Sequence, residues 1–327
     1  IGIYAPITTP FDKSGDVDVA GAAANSRRLI QAGMDGIVVA GSTGEAALLD
    51  EGERAALLAG VRAAVPKHQV LMGIGGESTR QTIARARAAA AAGADGVLCV
   101  APHYYGLGAM TDPALRAHYL AVADASTVPV VLYSIPKYMH FALSASLVAE
   151  LATHGNIVGI KDSSGDPLLL GGYLPAQGDS FTVVTGNGAQ FLAALRAGAK
   201  AGILAVGDFA PALCRAVFDA HVAGRADEAT VAQERLTPLA VEVVGRIGIG
   251  GVKAACDAVG LVGGQVRMPL VDIDDATRAR VRALLKHKGA ADALENALRI
   301  QGELAKSRDD LMKMIVHDLK TPLSAVI

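Results

Sequence analysis

Ala32-Gly33-Met34-Asp35-Gly36, Ala92-Gly93-Ala94-Asp95-Gly96 and Ala197-Gly198-Ala199-Lys200-Ala201 are three copies of one kind of joint. In each, an alanine-rich helical stretch meets a glycine and a short apolar run follows. A glycine in left-handed conformation ends the helix, and a tight loop turns the chain into a strand. Outward from these joints, β-branched runs alternate with helical stretches up to about residue 223, the pattern of parallel βα units. Eight runs can be read as strands, near 3–9, 36–41, 69–74, 96–101, 129–135, 157–162, 181–186 and 201–206. Similar joints spread around that count favour closure over an open doubly wound sheet. The expected fold class is α/β, a (β/α)8 TIM barrel over residues 1–224 followed by a helical region over 225–288, with helices near 226–246, 250–258 and 275–286.

Composition narrows the function classes. Hydrophobic residues make up 51% of the 327 and charged residues 19%, so much of the chain must be buried or packed against other copies, and a disordered protein is excluded. A net charge of −2 supplies no basic field for nucleic acid. No uncharged apolar run reaches the roughly 18 residues needed to span a bilayer. No secretory-type segment opens the sequence, and a cytoplasmic location is expected. Cys99, Cys214 and Cys256 are far apart in apolar segments, which suits reduced core thiols better than disulfides or a zinc site.

Past Lys288-Gly289 the composition changes to a charged amphipathic stretch, Ala290 to about Leu319, before Pro322. Leu294, Leu298, Leu304, Leu311, Ile315 and Leu319 recur at roughly heptad spacing. This stretch is expected to form one long helix with a partner-seeking seam, within a separate C-terminal segment over 289–327.

In such a barrel the chemistry sits at the C-terminal ends of the strands. Lys161 closes Ile157-Val158-Gly159-Ile160. Burial disfavours its charged form and so favours a nucleophilic amine, although pairing with Asp162 or another carboxylate at the barrel rim would make it merely structural. Tyr133 closes the preceding strand, where its phenol can shuttle protons or simply plug the rim. In Gly41-Ser42-Thr43-Gly44-Glu45 the glycines let backbone amides approach an anion and the hydroxyls can bind a carboxylate; an ordinary βα turn would look similar. His103-Tyr104-Tyr105 follows strand four, and one of its tyrosines is expected to reach an active site or a partner subunit. Gly73-Ile74-Gly75-Gly76-Glu77-Ser78 lacks the spacing of a dinucleotide loop and reads as a turn. The eight histidines are scattered, none paired with a ligand at i+3 or i+4, so no metal is expected.

With Gly41-Ser42-Thr43-Gly44-Glu45, Tyr133-Ser134-Ile135-Pro136 and Gly159-Ile160-Lys161-Asp162-Ser163 in this order, together with Thr8-Thr9-Pro10-Phe11 and Pro102 to Tyr105, residues 1–287 resemble the dihydrodipicolinate synthase/N-acetylneuraminate lyase family. That resemblance implies a class I pyruvate-dependent aldolase without a cofactor. Lys161 would condense with the keto carbon of pyruvate, and Tyr133 would act as general acid/base. Ser42 and Thr43 would grip the carboxylate and extend the proton relay. Tyr105 would be a relay tyrosine lent by a neighbouring subunit, Gly186 and Ile203 would line the pocket, and the assembly would be a homotetramer of tight dimers.

Members that bind aspartate semialdehyde usually carry an arginine after Tyr-x-x-Pro, where this chain has Lys137-Tyr138-Met139-His140. The motifs look closest to 4-hydroxy-2-oxoglutarate aldolases, which release pyruvate and glyoxylate, with Ser163 a contact for the second carboxylate. Thr43 departs from the asparagine frequent in that branch, so a 2-keto-3-deoxy sugar acid aldolase or dihydrodipicolinate synthase stays open. Met314-Ile315-Val316-His317-Asp318-Leu319-Lys320-Thr321-Pro322-Leu323 resembles the H-box of a sensor histidine kinase. His317 is a phosphoacceptor candidate there, with an exposed helix histidine as the plain alternative. Autophosphorylation by this segment alone is not expected, since it supplies only the first helix of the hairpin. A 2-oxo-acid sensor barrel fused to a kinase is the competing functional class.

Overall fold

The computed structural model describes residues 2–106 and 108–323, the side chains at 288, 290–293, 297, 314 and 316–323 excepted. Its centre is a closed parallel barrel in sequence order. The strands are β1 (Gly2–Ala5), β2 (Gly36–Val39), β3 (Gln69–Gly73), β4 (Gly96–Val100), β5 (Val130–Ser134), β6 (Ile157–Asp162), β7 (Thr182–Thr185) and β8 (Ala201–Ile203). Closure is made by β1 against β8, with Gly2 opposite Ala201 and Tyr4 opposite Ile203. All four residues of β2 are buried, as expected of strands covered by helices on one face and barrel core on the other.

Several strands are shorter than the apolar runs suggested. β1 stops at Ala5 instead of continuing to Thr9, because Pro6 has no N–H to give a ladder. β8 stops at Ile203, after which Gly207 N–H bonds Leu204 C=O at 2.9 Å and closes a helical turn over Ala205–Asp208. At the glycine joints, Gly33 has φ of 100° and Gly93 of 86°, the left-handed conformation required there.

β6 carries an irregularity that matters for the site. Val130 lies opposite Ile157 but Val131 lies opposite Gly159, so Val158 is an extra residue in β6. A one-residue shift exchanges the faces of everything downstream. Beyond it, Tyr133 faces Lys161 and Ser134 faces Asp162 across the ladder.

The helical region departs from the sequence reading in one informative place. Instead of one helix over 226–246, an α-helix Ala226–Leu239 passes into a wide π-helical turn, Ala240–Ile247. Pro238 lies in the last α turn, where it cannot donate to a carbonyl one turn back and its ring crowds that carbonyl. Gly248, at φ 85°, then starts the helix Ile249–Ala258, and Asp275–Lys288 follows.

Gly289, at φ 63°, separates Asp275–Lys288 from the long helix Ala290–Leu323. That helix runs past Leu319 to Leu323, so it includes Pro322, before which the sequence led one to expect its end. Leu294 is buried, whereas Ile300, Leu304, Leu311 and Met312 are exposed in the single chain. The side chain of His317 lies outside the described residues. Among the described residues no helix is long and apolar enough to cross a membrane. Cys99, Cys214 and Cys256 are buried free thiols, and burial pushes the Cys99 thiol up to about 12.

Candidate active site

At the C-terminal mouth of the barrel is a cavity of about 170 Å³. Lys161, Tyr133, Ser42, Thr43, Ser163, Gly186 and Ile203, anticipated one by one from the sequence, all line it. They come from β2, β5, β6, β7 and β8 or the loops just beyond, so only barrel closure can bring them together. Its far wall is the widened turn and the helix after it, through residues such as Ala240, Val244, Ile249 and Val252. π-Helical turns recur at such positions in other proteins because they re-aim side chains without ending the helix.

Lys161 is buried at 5% exposure, yet its amine is in no ion pair and no hydrogen bond with the described residues. Its Nζ lies over the Tyr133 ring, 4.2 Å from the centroid. The structural alternative, pairing with Asp162, is not formed. The Asp162 carboxylate accepts from Ser164 N–H at 3.1 Å and Ser164 Oγ–H at 2.8 Å. Burial raises the Asp162 carboxyl above its usual range, with the Ser164 bonds opposing. A buried lysine in no ion pair, lining a small cavity, leaves its amine open to a ligand.

Gly186 is where two strands' side chains meet. A Cβ there would lie 1.9 Å from Ser163 Oγ and 2.8 Å from Lys161 Cε, so only glycine leaves the lysine stem its path. Ser42 and Thr43 occupy a tight loop in which Gly44 N–H bonds Gly41 C=O at 3.0 Å and Thr9 Oγ donates to Gly44 C=O at 2.6 Å. Here the Thr8-Thr9-Pro10-Phe11 motif supports the β2 loop.

Tyr105 is not brought into this cavity by its own chain. It is 72% exposed, its ring edge-on to that of Tyr104 at 5.2 Å. The loop is held from behind by Glu77, whose carboxylate accepts the N–H groups of His103 and Tyr104 at 3.0 and 2.9 Å. A second cavity of about 600 Å³ adjoins on the other side of Ser42 and Tyr133. The Gly73–Ser78 segment is a turn, with Ser78 capping the helix Thr79–Ala91.

Two features escaped the sequence reading. Asp208, just past β8, is 1% exposed and neither carboxyl oxygen has a hydrogen-bond partner. Burial drives this carboxyl well above its ordinary range, with the nearby Thr8 backbone and the positive charge of Lys161 opposing. Glu45 and Lys253 form a fully buried ion pair at 2.5 Å. The available signal was a single charge within an otherwise uncharged stretch: Asp208 in 201–214 and Lys253 in 247–256.

Among the described residues no cluster of three or more His, Cys, Asp or Glu could hold a metal. The profile of the dihydrodipicolinate synthetase family matches residues 1–288. A relative from Streptomyces coelicolor, 4-hydroxy-tetrahydrodipicolinate synthase 1, is 39% identical over 85% of this chain and 90% of its own length. Among solved structures, the prophage protein YagE of E. coli K12 in complex with pyruvate is 30% identical at a TM-score of 0.83, covering 88% of this chain and 98% of that one. The chloride-inhibited dihydrodipicolinate synthase of Acinetobacter baumannii complexed with pyruvate is 29% identical at the same TM-score, covering 88% and 99%. With the family profile spanning the barrel and the helical region behind it, this chain belongs to the dihydrodipicolinate synthetase family and is a carbon–carbon lyase of the Schiff-base lysine class.

Proposed function

We propose that Lys161 is the Schiff-base lysine and that the chain cleaves a 4-hydroxy-2-oxo acid, such as 4-hydroxy-2-oxoglutarate, to pyruvate and an aldehyde acid. The observation that carries this is the buried, unpaired Lys161 amine sharing one cavity with the Tyr133 phenol and the Ser42–Thr43 hydroxyls. The neutral amine adds to the keto carbon, Tyr133 gives its phenol proton to the departing hydroxyl, and water and a protonated imine result, with Tyr133 left as phenolate. Tyr133 takes the proton of the C4 hydroxyl as the C3–C4 bond breaks. The electron pair flows into the imine to give an enamine, so no free carbanion is made. The aldehyde acid departs, C3 is protonated, and water returns pyruvate and the amine.

In this scheme Ser42 and Thr43 hold the carboxylate next to the imine carbon, Ser163 contacts the second carboxylate, and Gly186 and Ile203 shape the floor. Tyr105 extends the relay from a second copy, which accords with its exposure here, in a cytoplasmic homotetramer of dimers. Borohydride added with pyruvate should reduce the imine and leave a stable adduct on Lys161. A protein that stays unlabelled removes the proposal.

A second reading is favoured by the relatives' printed names: condensation of pyruvate with aspartate semialdehyde, as in 4-hydroxy-tetrahydrodipicolinate synthases. It shares the first half of the chemistry and differs in the acceptor. Against it stands Lys137-Tyr138 in place of the expected arginine. Pyruvate release from 4-hydroxy-2-oxoglutarate, compared with pyruvate consumption in the presence of the semialdehyde, separates the two. Binding of the 2-oxo acid without turnover would instead favour a sensor whose output passes through the 289–327 helix and His317; phosphate transfer to His317 by a complete kinase catalytic domain with ATP tests that module.

A further inference from the structure

The loop that carries Ser42 and Thr43 is bracketed by two non-glycine residues in left-handed conformation, Ala40 at φ 50° and Glu45 at φ 56°. Such conformations are disfavoured for residues with a Cβ and persist only where the surroundings over-determine them. The constraint here is Glu45 itself, which is buried and reaches across to the helical region behind the barrel. Its Oε1 lies 2.5 Å from Lys253 Nζ, an ion pair without the angle of a linear hydrogen bond. Its Oε2 accepts the N–H of Arg267 at 2.8 Å. Lys253 also donates to Gln265 C=O and packs over the Phe11 ring at 4.4 Å. Arg267 covers the same ring at 4.2 Å and bonds Leu48 C=O, at the end of the Ser42–Thr43 loop, at 2.8 Å.

Lys253 follows Val252 on the helix Ile249–Ala258, and both Val252 and Ile249 line the reaction cavity. One buried pair therefore joins two opposite walls of that cavity: the hydroxyl loop and the rear helix. Neither Glu45 nor Lys253 lines that cavity itself.

Resting on the assignment of Ser42 and Thr43 as the carboxylate grip, we propose that Glu45 and Lys253 are positioning residues that hold those hydroxyls in a strained, ready arrangement for the 2-oxo acid carboxylate. Loosening the pair lets the loop relax toward unstrained dihedrals and moves the hydroxyls off the carboxylate. Ground-state binding is then lost, while Lys161 and Tyr133, on other strands, keep their relation.

The test is the concentration of pyruvate giving half-maximal borohydride trapping at Lys161, measured with turnover and melting temperature for wild type, Glu45→Gln, Lys253→Met and the double variant. Glu45→Gln keeps the shape and an acceptor for Arg267 N–H, and the double variant leaves no buried charge unpaired. We expect half-saturation to rise about tenfold in all three, the size of losing one hydrogen bond to a charged group, with the rate at saturation changed less than about threefold. The double variant should melt closer to wild type than Lys253→Met does, yet keep the raised half-saturation. A double variant that binds pyruvate like wild type overturns the proposal, as does a loss confined to the saturated rate. If wild type is not trapped at Lys161, the functional reading fails and this proposal falls with it; trapping with unchanged half-saturation in the variants sinks this proposal alone.

Discussion

The Lys161 amine lies 4.2 Å from the centroid of the Tyr133 ring, its residue paired directly opposite Tyr133 across the β5–β6 ladder. The pair is fixed by backbone register, so neither side chain needs a loop to find the other. Tyr133→Phe should preserve the face on which the amine rests and remove only the hydroxyl. Turnover is expected to fall about 10²- to 10⁴-fold with borohydride trapping by pyruvate still detectable. Steady-state rates beside mass spectrometry of the trapped protein check this; an unchanged rate would make the phenol a packing group.

Gly186 is the most sterically exacting position in the site. Gly186→Ala places a methyl against Ser163 Oγ and Lys161 Cε. Overpacking of this kind destabilises by about 1–3 kcal/mol, and here the atoms that must yield include the Lys161 side chain. Activity should drop by more than about tenfold while stability changes by no more than that overpacking range. Thermal unfolding and turnover measured together decide it, and an active Gly186→Ala enzyme would contradict the packing.

The Asp208 carboxyl is held well above its ordinary range by burial. A carboxyl that keeps its proton in the folded state but loses it on unfolding contributes stability that declines as pH rises from the unfolded value through the folded one. Asp208→Asn, neutral at every pH, removes that decline. Its advantage in melting temperature over wild type should grow from pH 5 to about pH 8. Equal pH slopes for the two proteins would show that Asp208 is not protonated in the fold.

His118 works in the opposite direction. Burial lowers its pKa to about 4, with Glu77 opposing, and its Nδ1 meets Thr79 Oγ at 3.0 Å. The unfolded chain takes up this proton near the ordinary histidine value of about 6.5. Stability is therefore intact above that pH and falls as pH drops toward 4, by about 3 kcal/mol from this residue. His118→Gln should flatten that part of a urea-denaturation series between pH 7 and 4. A slope as steep as that of wild type would assign the acid loss to other groups.

The barrel, the positions of its eight strands and the residues at their ends were legible in the sequence. Periodicity and the Ala-Gly joints report local conformation, and local conformation repeated eight times leaves few ways to close. The identity of Lys161 as a residue at a strand end followed from where an apolar run stops. What could not be read locally was the match between strands. The extra residue at Val158 decides that Tyr133, and not its neighbour, faces Lys161, and nothing in either strand alone announces that register. Tyr105 was visible as an aromatic loop residue, but only the folded chain shows it turned outward, away from its own cavity.

The sequence by itself determined the order of βα units and the chemistry available at their ends, because those depend on contacts a few residues long. The tertiary structure decided the rest. It left the Lys161 amine in no ion pair among the described residues, gave Glu45 a partner 208 positions away in Lys253, and widened a helix at Pro238 to close the cavity. Each of these depends on which charges and surfaces are removed from water together, a property of the closed barrel and its rear helices that no single segment carries.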